Sequence, residues 1–342
     1  MAKNKITVYD IAKEAGVSAA TVSRVLTGNV PVHEKTKEKV TEVLQKYNFR
    51  PSSVARSLKA RRSKSIGFVV PDITNHYFST MFLALELLAA QHGYTVILCN
   101  SNSDFTRESE ILEVLLEKEV ELIVFTGGRI DTVGLPKKYV TEIERVNRMV
   151  PLVTCSVIPG AKCIQIVNDE RQGVFTLVGH LAGLGHHDIG MVGGTGTNRP
   201  ISLRRQHLLE AAEEYRLRVR DEWLIIEGGF LLASGSQCME KMLSLPQKPS
   251  AVMAFNDVVA VGALSTLQRH GVRVPEDMAL TGYDGVQITA SSYPGITTVG
   301  ANFNGYAERI MDIVLNHPEP GQVVETMFPM ELMARESTLG KQ

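Results

Sequence analysis

Short apolar runs alternate with segments of helical periodicity from residue 64 to about residue 283. Each run is bounded by polar residues, glycine or proline, which is typical of a buried strand. The segments between the runs repeat apolar residues every three or four positions, as amphipathic helices do. This alternation predicts parallel sheets covered by helices on both faces, in two series that indicate two similar subdomains with a cleft between them. The predicted strands are 65–71, 95–99, 122–126, 151–154, 163–167, 189–193, 223–226, 251–255 and 279–283.

The N-terminal stretch from Thr7 to Gly28 predicts two short helices joined by a tight turn. Apolar residues such as Ile11 fall on one face of the first helix, and Gly16 supplies the left-handed conformation that ends it. Ser18 is placed to cap a second helix over 19–27. The pattern therefore predicts a compact helical hairpin.

The second helix has two different faces. Val22 and Val25 point back at the first helix, whereas Ala20, Thr21 and Arg24 point away from it. A face of small residues with one arginine suits the major groove of DNA, where arginine pairs with guanine. The alternative is an ordinary helical hairpin without nucleic-acid contacts. A third helix is predicted over 33–47, with an inner face of Val40, Val43, Leu44 and Tyr47.

Charge is divided unevenly along the 342 residues. The whole chain has a formal net charge of −1, but residues 1–62 contain thirteen Lys and Arg against five acidic residues. Residues 1–62, which we call the basic head, therefore carry a net charge of +8, and the remaining residues carry −9. A basic head followed by an acidic remainder is expected when a phosphate-binding module is attached to a second domain with a separate function.

The four cysteines are scattered without the spacing of a metal site, so we expect reduced thiols in a core. Cys155 and Cys163 are the pair that a metal site would use, but no His/Cys cluster joins them. We see neither a signal segment at the start nor a long apolar run. The expected location is the cytoplasm, associated with the nucleoid.

Residues 51–62 are basic and carry little apolar surface. Pro51 pre-sets the start of a short helix over 52–59, but two turns of this composition should be mostly unfolded in isolation. A basic linker is the alternative interpretation.

Two motifs resemble a known family: T-V-Y-D-I-A-K-E-A-G-V-S-x-x-T-V-S-R-V-L from Thr7, and R-P-S-S-V-A-R-S-L from Arg50. They are similar to the head-piece of the lactose/galactose/purine repressor family, and the chain from Ser65 to about Glu336 resembles its periplasmic-binding-protein-like core. The resemblance implies an all-α helix-turn-helix DNA-binding domain over 1–50, a hinge helix or linker over 51–63 and a two-subdomain α/β effector-binding core over 64–342. The expected subdomains are 64–186 with 300–323, and 187–299 with 324–342.

The resemblance also implies which residues contact DNA. In the family, the pair at Ala19 and Ala20 sets operator preference, and the hinge folds only when two copies meet on DNA. Leu58 then wedges into a minor-groove step, as apolar side chains do when they kink DNA. The expected contacts are Thr7, Tyr9, Ser18, Ala19, Ala20, Thr21, Ser23, Arg24, Thr27, His33, Thr36, Ser52, Ala55 and Leu58.

Ligands of open α/β sheets bind beyond the carboxyl ends of the strands. Carboxylates, amides, an arginine and aromatic residues follow the predicted strands, and this set suits a small polar ligand. The alternatives are that Asn256 and Asp284 only cap helices, that Arg204 pairs with an acid on its own helix, and that Phe230 is plain core. The resemblance places Tyr77, Phe78, Asn198, Arg204, Phe230, Asn256, Asp284 and Phe303 at effector-contacting positions.

Other classes fit poorly. Gly194-Thr195-Gly196 follows a strand, but position 199 is Arg rather than the glycine that a dinucleotide loop needs. No catalytic triad or metal motif stands out, so we expect no enzymatic activity, no cofactor and no metal. A secreted solute-binding protein does not explain the basic head.

The sequence therefore predicts a ligand-responsive transcription factor, a repressor that binds a pseudo-palindromic operator as a homodimer. The tail after the core, Glu336 to Gln342, is too short for a coiled-coil tetramer helix. The expected effector is a sugar or sugar derivative, and the alternative is a nucleobase or nucleoside that acts as a co-repressor.

Overall fold

The computed structural model describes residues 6–27, 30–47, 49, 63–317 and 319–339. The chain divides into two compact units, Met1–Ser63 and Lys64–Gln342. The predicted DNA contacts Ser52, Ala55 and Leu58 lie outside the described residues, as does most of the predicted hinge.

The described part of the first unit contains the helices α1 (Val8–Ala15), α2 (Ala19–Thr27) and α3 (Glu34–Lys46). Thr7 and Asp10 cap α1 reciprocally: the Thr7 amide donates to Asp10 Oδ2 at 2.8 Å, and Thr7 Oγ1 accepts from the Asp10 amide. Gly16, with a φ of 66°, ends α1 in the left-handed region. Ser18 Oγ accepts from the Thr21 amide at 3.1 Å and so caps α2. These local signals fix the turn between the two helices.

The core of the first unit is small. Ile11, Ala12, Val22 and Val40 are buried, and further apolar residues of all three helices pack around them. The prediction for Tyr47 is wrong: its side chain is 37% exposed, because α3 ends at Lys46 and Tyr47 lies outside the helix. Phe49 packs against this core instead, together with Val43 and Leu44.

The second unit alternates strands and helices. Its strands are β1 (Ser65–Val70), β2 (Thr95–Asn100), β3 (Leu122–Phe125), β4 (Leu152–Thr154), β5 (Ile164–Asn168), β6 (Ile189–Val192), β7 (Leu224–Ile225), β8 (Ala251–Ala254), β9 (Ala279–Thr281), β10 (Thr298–Gly300), β11 (Val324–Phe328) and β12 (Glu331–Met333). Its helices are α4 (His76–Gln91), α5 (Phe105–Glu117), α6 (Lys137–Asn147), α7 (Glu170–Gly183), α8 (Arg199–Glu214), α9 (Leu232–Ser244), α10 (Asp257–Arg269), α11 (Ile288–Ser291), α12 (Phe303–Leu315) and α13 (Glu336–Leu339).

The first subdomain is built on a parallel sheet in the order β11-β5-β4-β3-β1-β2. Alternate residues of β1 point to opposite faces of this sheet. Ile66, Phe68 and Val70 pack under α4 and α12, whereas Val69 packs with the apolar residues of α5 and α6. Both faces are covered, as the uninterrupted apolar run predicted.

The second subdomain repeats the plan on a smaller parallel sheet in the order β7-β6-β8-β9. Helices α7 and α8 cover one face, and α9 and α10 cover the other. The predicted fold class, an α/β core of two subdomains with parallel sheets, is confirmed. The prediction did not include β10, β11 and β12, and β10 and β12 pair with each other as an antiparallel ladder.

The subdomain boundaries differ from the expected ones near residues 186 and 323. Helix α7 belongs to the second subdomain, because Val174, Leu177 and Val178 pack against Ile189 and the rest of that core. Strand β11 belongs to the first subdomain, because it extends the sheet beside β5. The chain therefore crosses between subdomains at 168–170, 300–303 and 328–331.

Candidate functional site

A cavity of about 520 Å³ lies between the two subdomains. In the larger sheet, β1 lies between β2 and β3, so the strand order reverses at β1. In the smaller sheet, β6 lies between β7 and β8, so the order reverses at β6. Ligands of doubly wound folds bind at such points, beyond the carboxyl ends of the strands. The segments that follow β1 and β6 both line this cavity.

Seven of the eight predicted effector contacts line the cavity, and Phe303 lies behind them. The Tyr77 and Phe78 rings meet edge to face with centroids 5.3 Å apart at the start of α4. The Phe303 ring packs against Tyr77 at 5.4 Å. Asn75 caps α4 by accepting from the Tyr77 amide at 3.0 Å, which fixes where these rings stand. The seven residues are Tyr77, Phe78, Asn198, Arg204, Phe230, Asn256 and Asp284.

Arg204 is held from several sides by a set of residues that we call the Arg204 cluster. Its Nε lies 2.7 Å from Glu170 Oε2, and its Nη2 lies 3.5 Å from Asp284 Oδ1. Its Nη1 donates to the Phe255 carbonyl at 2.6 Å, and its guanidinium stacks on the Tyr283 ring at 3.7 Å. Glu170 is on α7, so the acid that pairs with Arg204 lies on a different helix rather than on its own. The positive charge is therefore balanced by protein carboxylates.

Asp284 has an unusual backbone conformation. Its φ is 111°, a region that favours glycine, and its amide donates to the Val299 carbonyl at 2.9 Å. Burial raises the pKa of the Asp284 carboxyl well above its ordinary value, against the opposing effect of Arg204, and the charge of Asp257 raises it further. Asp284 does not cap a helix, because Gln287 is the residue before α11.

Asp257 supports Asp284 from inside the subdomain. Its Oδ1 accepts from the Thr298 hydroxyl at 2.6 Å, and its Oδ2 accepts from the Val286 amide at 2.7 Å. Burial raises the Asp257 pKa to about 7, although these hydrogen bonds lower it. The segment after β8, which contains Asp257, and the segment after β9, which contains Val286, are thereby joined behind the cavity.

The two predicted asparagines also act as helix caps. Asn256 Oδ1 accepts from the Val259 amide at 2.8 Å, and its Nδ2 donates to the Phe230 carbonyl at 3.2 Å. Asn198 Oδ1 accepts from the Ile201 amide at 3.2 Å. The capping alternative is therefore true of both residues, although both line the cavity. Phe230 is only partly buried and packs on Phe255.

Sequence reasoning missed several polar groups that line the cavity. Asp131 stands at the end of a 3₁₀ turn, Gly128–Asp131, and accepts a hydrogen bond from the Ser156 hydroxyl. Burial raises the Asp131 pKa to about 6, and the Ser156 hydrogen bond opposes this rise. Glu170 and Arg199 also face the cavity. Glu170 comes just after the end of β5, whereas Asp131 and Arg199 lie farther beyond β3 and β6. Applying the same search to every strand, over a longer segment, therefore finds all three.

A second buried arginine lies next to the cavity, in what we call the Arg129 cluster. Its Nη2 is 2.7 Å from Glu142 Oε2, its Nε is 3.3 Å from Glu108 Oε2, and its Nη1 donates to Ser109 Oγ at 2.8 Å. Its guanidinium also stacks on the Tyr139 ring at 4.7 Å. The cluster anchors the Gly128–Asp131 turn, and only glycine fits at 128, because a Cβ there would meet the Glu108 carboxylate.

In the first unit, most of the predicted DNA contacts are at the surface. Tyr9 is 77% exposed and Arg24 is exposed, whereas the Thr21 hydroxyl is within 2.9 Å of Ser18 Oγ. Ala19 is partly buried and packs toward the core, which leaves Ala20 as the exposed member of the pair. Thr7, Ser18 and His33 are exposed, Ser23 and Thr36 are partly buried, and the Thr27 side chain lies outside the described residues.

The chain combines a helix-turn-helix unit with a two-subdomain α/β unit that encloses a ligand-sized cavity. This combination defines the class of ligand-responsive DNA-binding regulators. Residues 7–52 match the family of bacterial regulatory proteins, lacI family, and residues 178–338 match the periplasmic binding protein-like domain. No helix in the described ranges is long and apolar enough to cross a membrane.

Similar proteins agree with this class. The chain is 32% identical to the HTH-type transcriptional repressor PurR of Aliivibrio salmonicida (strain LFI1238), over 97% of this chain and 98% of that protein. It is 33% identical to catabolite control protein A of Priestia megaterium, over 86% and 87%. The crystal structure of the lac repressor dimer bound to operator and the anti-inducer ONPF has a TM-score of 0.86 and 26% identity, over 98% and 99%. The chain belongs to the lacI family and is a DNA-binding transcriptional regulator.

Proposed function

We propose that this protein is a repressor that binds a pseudo-palindromic operator as a homodimer, and that a small polar effector in the cavity controls its affinity for DNA. The observation that carries the proposal is the cavity itself, which both subdomains line with polar and aromatic side chains. A ligand held between two subdomains that are linked by three crossing segments favours one relative arrangement of them. The effector and DNA then change each other's affinity by the same factor.

In this proposal the exposed face of α2 reads the major groove. Arg24, on that face, pairs with a guanine, and Ala20 and Thr21 lie against neighbouring bases. Tyr9, on α1, and His33, directly before α3, are both exposed and contact the DNA backbone. A homodimer presents two such faces, one for each half of the operator.

The test begins with a DNA site selected by the full-length protein from a random library, with affinity measured by fluorescence anisotropy. Arg24→Ala should weaken binding by about 1–3 kcal/mol and relax base preference at one position in each half-site. Arg216→Ala, which removes an exposed arginine from the second unit, is the matched control and should leave affinity within about twofold. Unchanged affinity and base preference in Arg24→Ala would remove α2 from the recognition role.

The effector half of the proposal is tested separately with the same DNA. Asp284→Asn should leave DNA affinity intact and abolish its response to a bound effector. A response of wild-type size in this variant, with undiminished ligand affinity by calorimetry, would place the effector outside the cavity.

A further inference from the structure

We propose that the backbone contacts between residues 132–133 of the first subdomain and residues 197–198 of the second form a latch that holds the cavity closed. The latch must break before a ligand enters or leaves, so it controls access to the cavity. We call the arrangement in which the latch is formed the closed arrangement. The latch itself goes beyond the proposed function, and only its effect on DNA affinity rests on that proposal.

The latch consists of backbone contacts that cross the cleft. The Val133 amide donates to the Thr197 carbonyl at 2.9 Å, and Thr132 forms an antiparallel bridge with Asn198. Both contacts lie outside the three crossing segments, so they join the subdomains at a separate place. They use backbone groups, which every residue of this kind carries, and no side-chain motif in the sequence marks them.

The latch borders the cavity. Thr132, Thr197 and Asn198 are all among the residues that line it. Another part of the lining comes from the crossing segment at 168–170, where the chain itself connects the two subdomains. Since the crossing segments can act only as hinges, the subdomains separate elsewhere, and their separation requires that the latch breaks.

The first-subdomain side of the latch is held in place by the Arg129 cluster. Arg129 is completely buried, and its backbone amide donates to both Glu108 carboxylate oxygens at 3.3 Å. Ser156 donates to Asp131, the residue directly before the latch. Thr132 then has an extended backbone, with a φ of −79° and a ψ of 130°, which suits pairing with another strand. This side is therefore in place before the contact forms.

The second-subdomain side is also held by its own subdomain. Gly194 and Gly229 exchange two backbone hydrogen bonds, at 2.7 and 3.1 Å, which anchor the loop after β6. The Asn198 amide donates to the Thr195 carbonyl at 3.2 Å, and the Asn198 side chain caps α8 through the Ile201 amide. Because both sides are preorganised, the latch closes with little loss of conformational entropy.

The strength of the latch allows it to open. The hydrogen bond from Val133 to Thr197 should favour the closed arrangement by a factor of about 2 to 10, as one backbone hydrogen bond does. A ligand with a larger preference for either arrangement overrides this factor. The latch therefore sets how often the cavity opens without preventing ligand exchange.

Substitutions at Val133 separate the amide from the side chain. Val133→Pro removes the amide that donates to Thr197, and the extended backbone of Thr132 is the one that a residue before proline adopts. Val133→Ala keeps the amide and is the matched control, because the Val133 side chain is 50% exposed. The two variants therefore differ in the hydrogen bond of the latch.

Cys155 reports the opening of the cavity. It is buried and lines the cavity, whereas Cys163 is buried in the core of the first subdomain and is not among the described lining residues. The full-length protein, without added ligand, is treated with a maleimide coupled to a polyethylene glycol chain larger than the cavity, and mass spectrometry follows each cysteine. Cys155 should react about 2 to 10 times faster in Val133→Pro than in Val133→Ala, because the reaction follows the open fraction. Cys163 should react at the same rate in both variants.

A disulfide across the bridge tests the latch in the opposite direction. Thr132→Cys with Asn198→Cys places two thiols on opposed residues of an antiparallel pair, whose Cα atoms lie about 4.5–5.5 Å apart, within the range of a disulfide. We expect an intramolecular disulfide on mild oxidation, which should protect Cys155 until it is reduced. The reduced form is the matched control for the loss of the Asn198 cap. Thr132→Cys with Glu214→Cys, at the far end of α8, should form no intramolecular disulfide.

The outcomes separate the latch from the proposed function. Equal Cys155 rates in the two Val133 variants, or a failure of the 132–198 disulfide to form or to protect Cys155, would overturn the latch. Operator affinity is then measured by anisotropy on the oxidised and reduced forms, and a difference between them supports both proposals. Equal operator affinity, with Cys155 protected only in the oxidised form, would keep the latch and contradict the control of DNA affinity by the arrangement of the subdomains.

Discussion

Arg129 and Arg204 have the same kinds of partner in the two subdomains. Each guanidinium lies between two carboxylates, donates to a backbone carbonyl and stacks on aromatic rings. The clusters differ in their surroundings: the Arg129 side chain is completely buried, whereas Arg204, 7% exposed, lines the cavity. The same chemistry therefore serves two purposes, anchoring a turn in one case and forming a wall for a ligand in the other.

The comparison shows that pairing alone does not identify a binding residue. A buried arginine beside carboxylates is expected wherever a charge has been taken out of water. Contact with a cavity is what distinguishes Arg204, because a ligand can reach its partners Glu170 and Asp284 there. The Arg129 cluster contributes indirectly, through the turn that carries Asp131.

The largest expected effect comes from replacing each arginine by methionine. At a pH above 7, where Glu108 is ionised in the folded protein, Arg129→Met leaves this completely buried carboxylate without its cation, and breaking such a pair costs about 3–5 kcal/mol of unfolding free energy. Arg204→Met should cost less, about 1–3 kcal/mol, because Glu170 and Asp284 border a cavity that water can enter. Urea denaturation followed by circular dichroism measures both values.

Ligand binding should show the reverse order. Arg204→Met is expected to abolish binding of the effector, whereas Arg129→Met, at temperatures where it is folded, should retain it in weakened form. Equal stability losses in the two variants would contradict the distinction between an anchoring and a ligand-facing cluster. Arg145→Met, at an exposed ion pair with Glu113, controls for the loss of an arginine and should cost less than about 1 kcal/mol.

The second prediction concerns the pH dependence of the Arg129 cluster. Burial raises the Glu108 pKa to about 7 from an ordinary value of 4.5, although Arg129 opposes the rise and Asp131 adds to it. Between pH 4.5 and 7 the folded protein binds a proton that the unfolded chain has released. The contribution of Glu108 to stability is therefore complete at low pH and is lost as the pH rises through about 7.

Glu108→Gln removes this dependence. The unfolding free energy is measured for wild type and variant at pH 4.5 and at pH 7.5. Between these two values, the variant should gain on the order of 3 kcal/mol of stability relative to wild type. Contributions from groups that do not interact with Glu108, such as Asp257, are common to both proteins and cancel in the difference. Glu113→Gln, on the exposed side of the same helix, should show no such shift. A flat difference for Glu108→Gln would mean that Glu108 is ionised in the folded protein throughout this range.

The two clusters also show how much of the fold and of the site the sequence predicts. Apolar runs located the strands, and the resemblance selected Arg204 and Asp284. Arg129 was not found, because a single arginine in a glycine-rich segment reads as a surface loop. Its burial depends on Glu108 and Glu142, which are distant in sequence and approach only when α5 and α6 pack.

Strand β11 was missed for a related reason. Its residues alternate between partly buried and exposed positions, so the apolar run that marked the other strands is absent. Only its pairing with β5 assigns it to the first subdomain. Helix α7 was assigned to the wrong subdomain because its apolar face, with Val174 and Leu177, does not reveal in sequence which sheet it covers. Tertiary packing decides both cases.

The smallest expected effect separates the aromatic ring from the hydroxyl in each cluster. Tyr139→Phe keeps the ring over Arg129, whereas Tyr139→Leu removes it, and the difference between these variants should be about 0.5–2 kcal/mol of unfolding free energy. Tyr283→Phe keeps the ring 3.7 Å from the Arg204 guanidinium and loses a hydroxyl that lies 3.1 Å from Met330 Sδ and 3.4 Å from the Glu170 carbonyl. A long hydrogen bond and a contact with a thioether sulfur should together contribute no more than about 1 kcal/mol, with effector affinity within threefold of wild type. A larger loss of affinity in Tyr283→Phe would mean that the hydroxyl, rather than the ring face, positions Glu170 for the ligand, and the two clusters would then differ in chemistry as well as in surroundings.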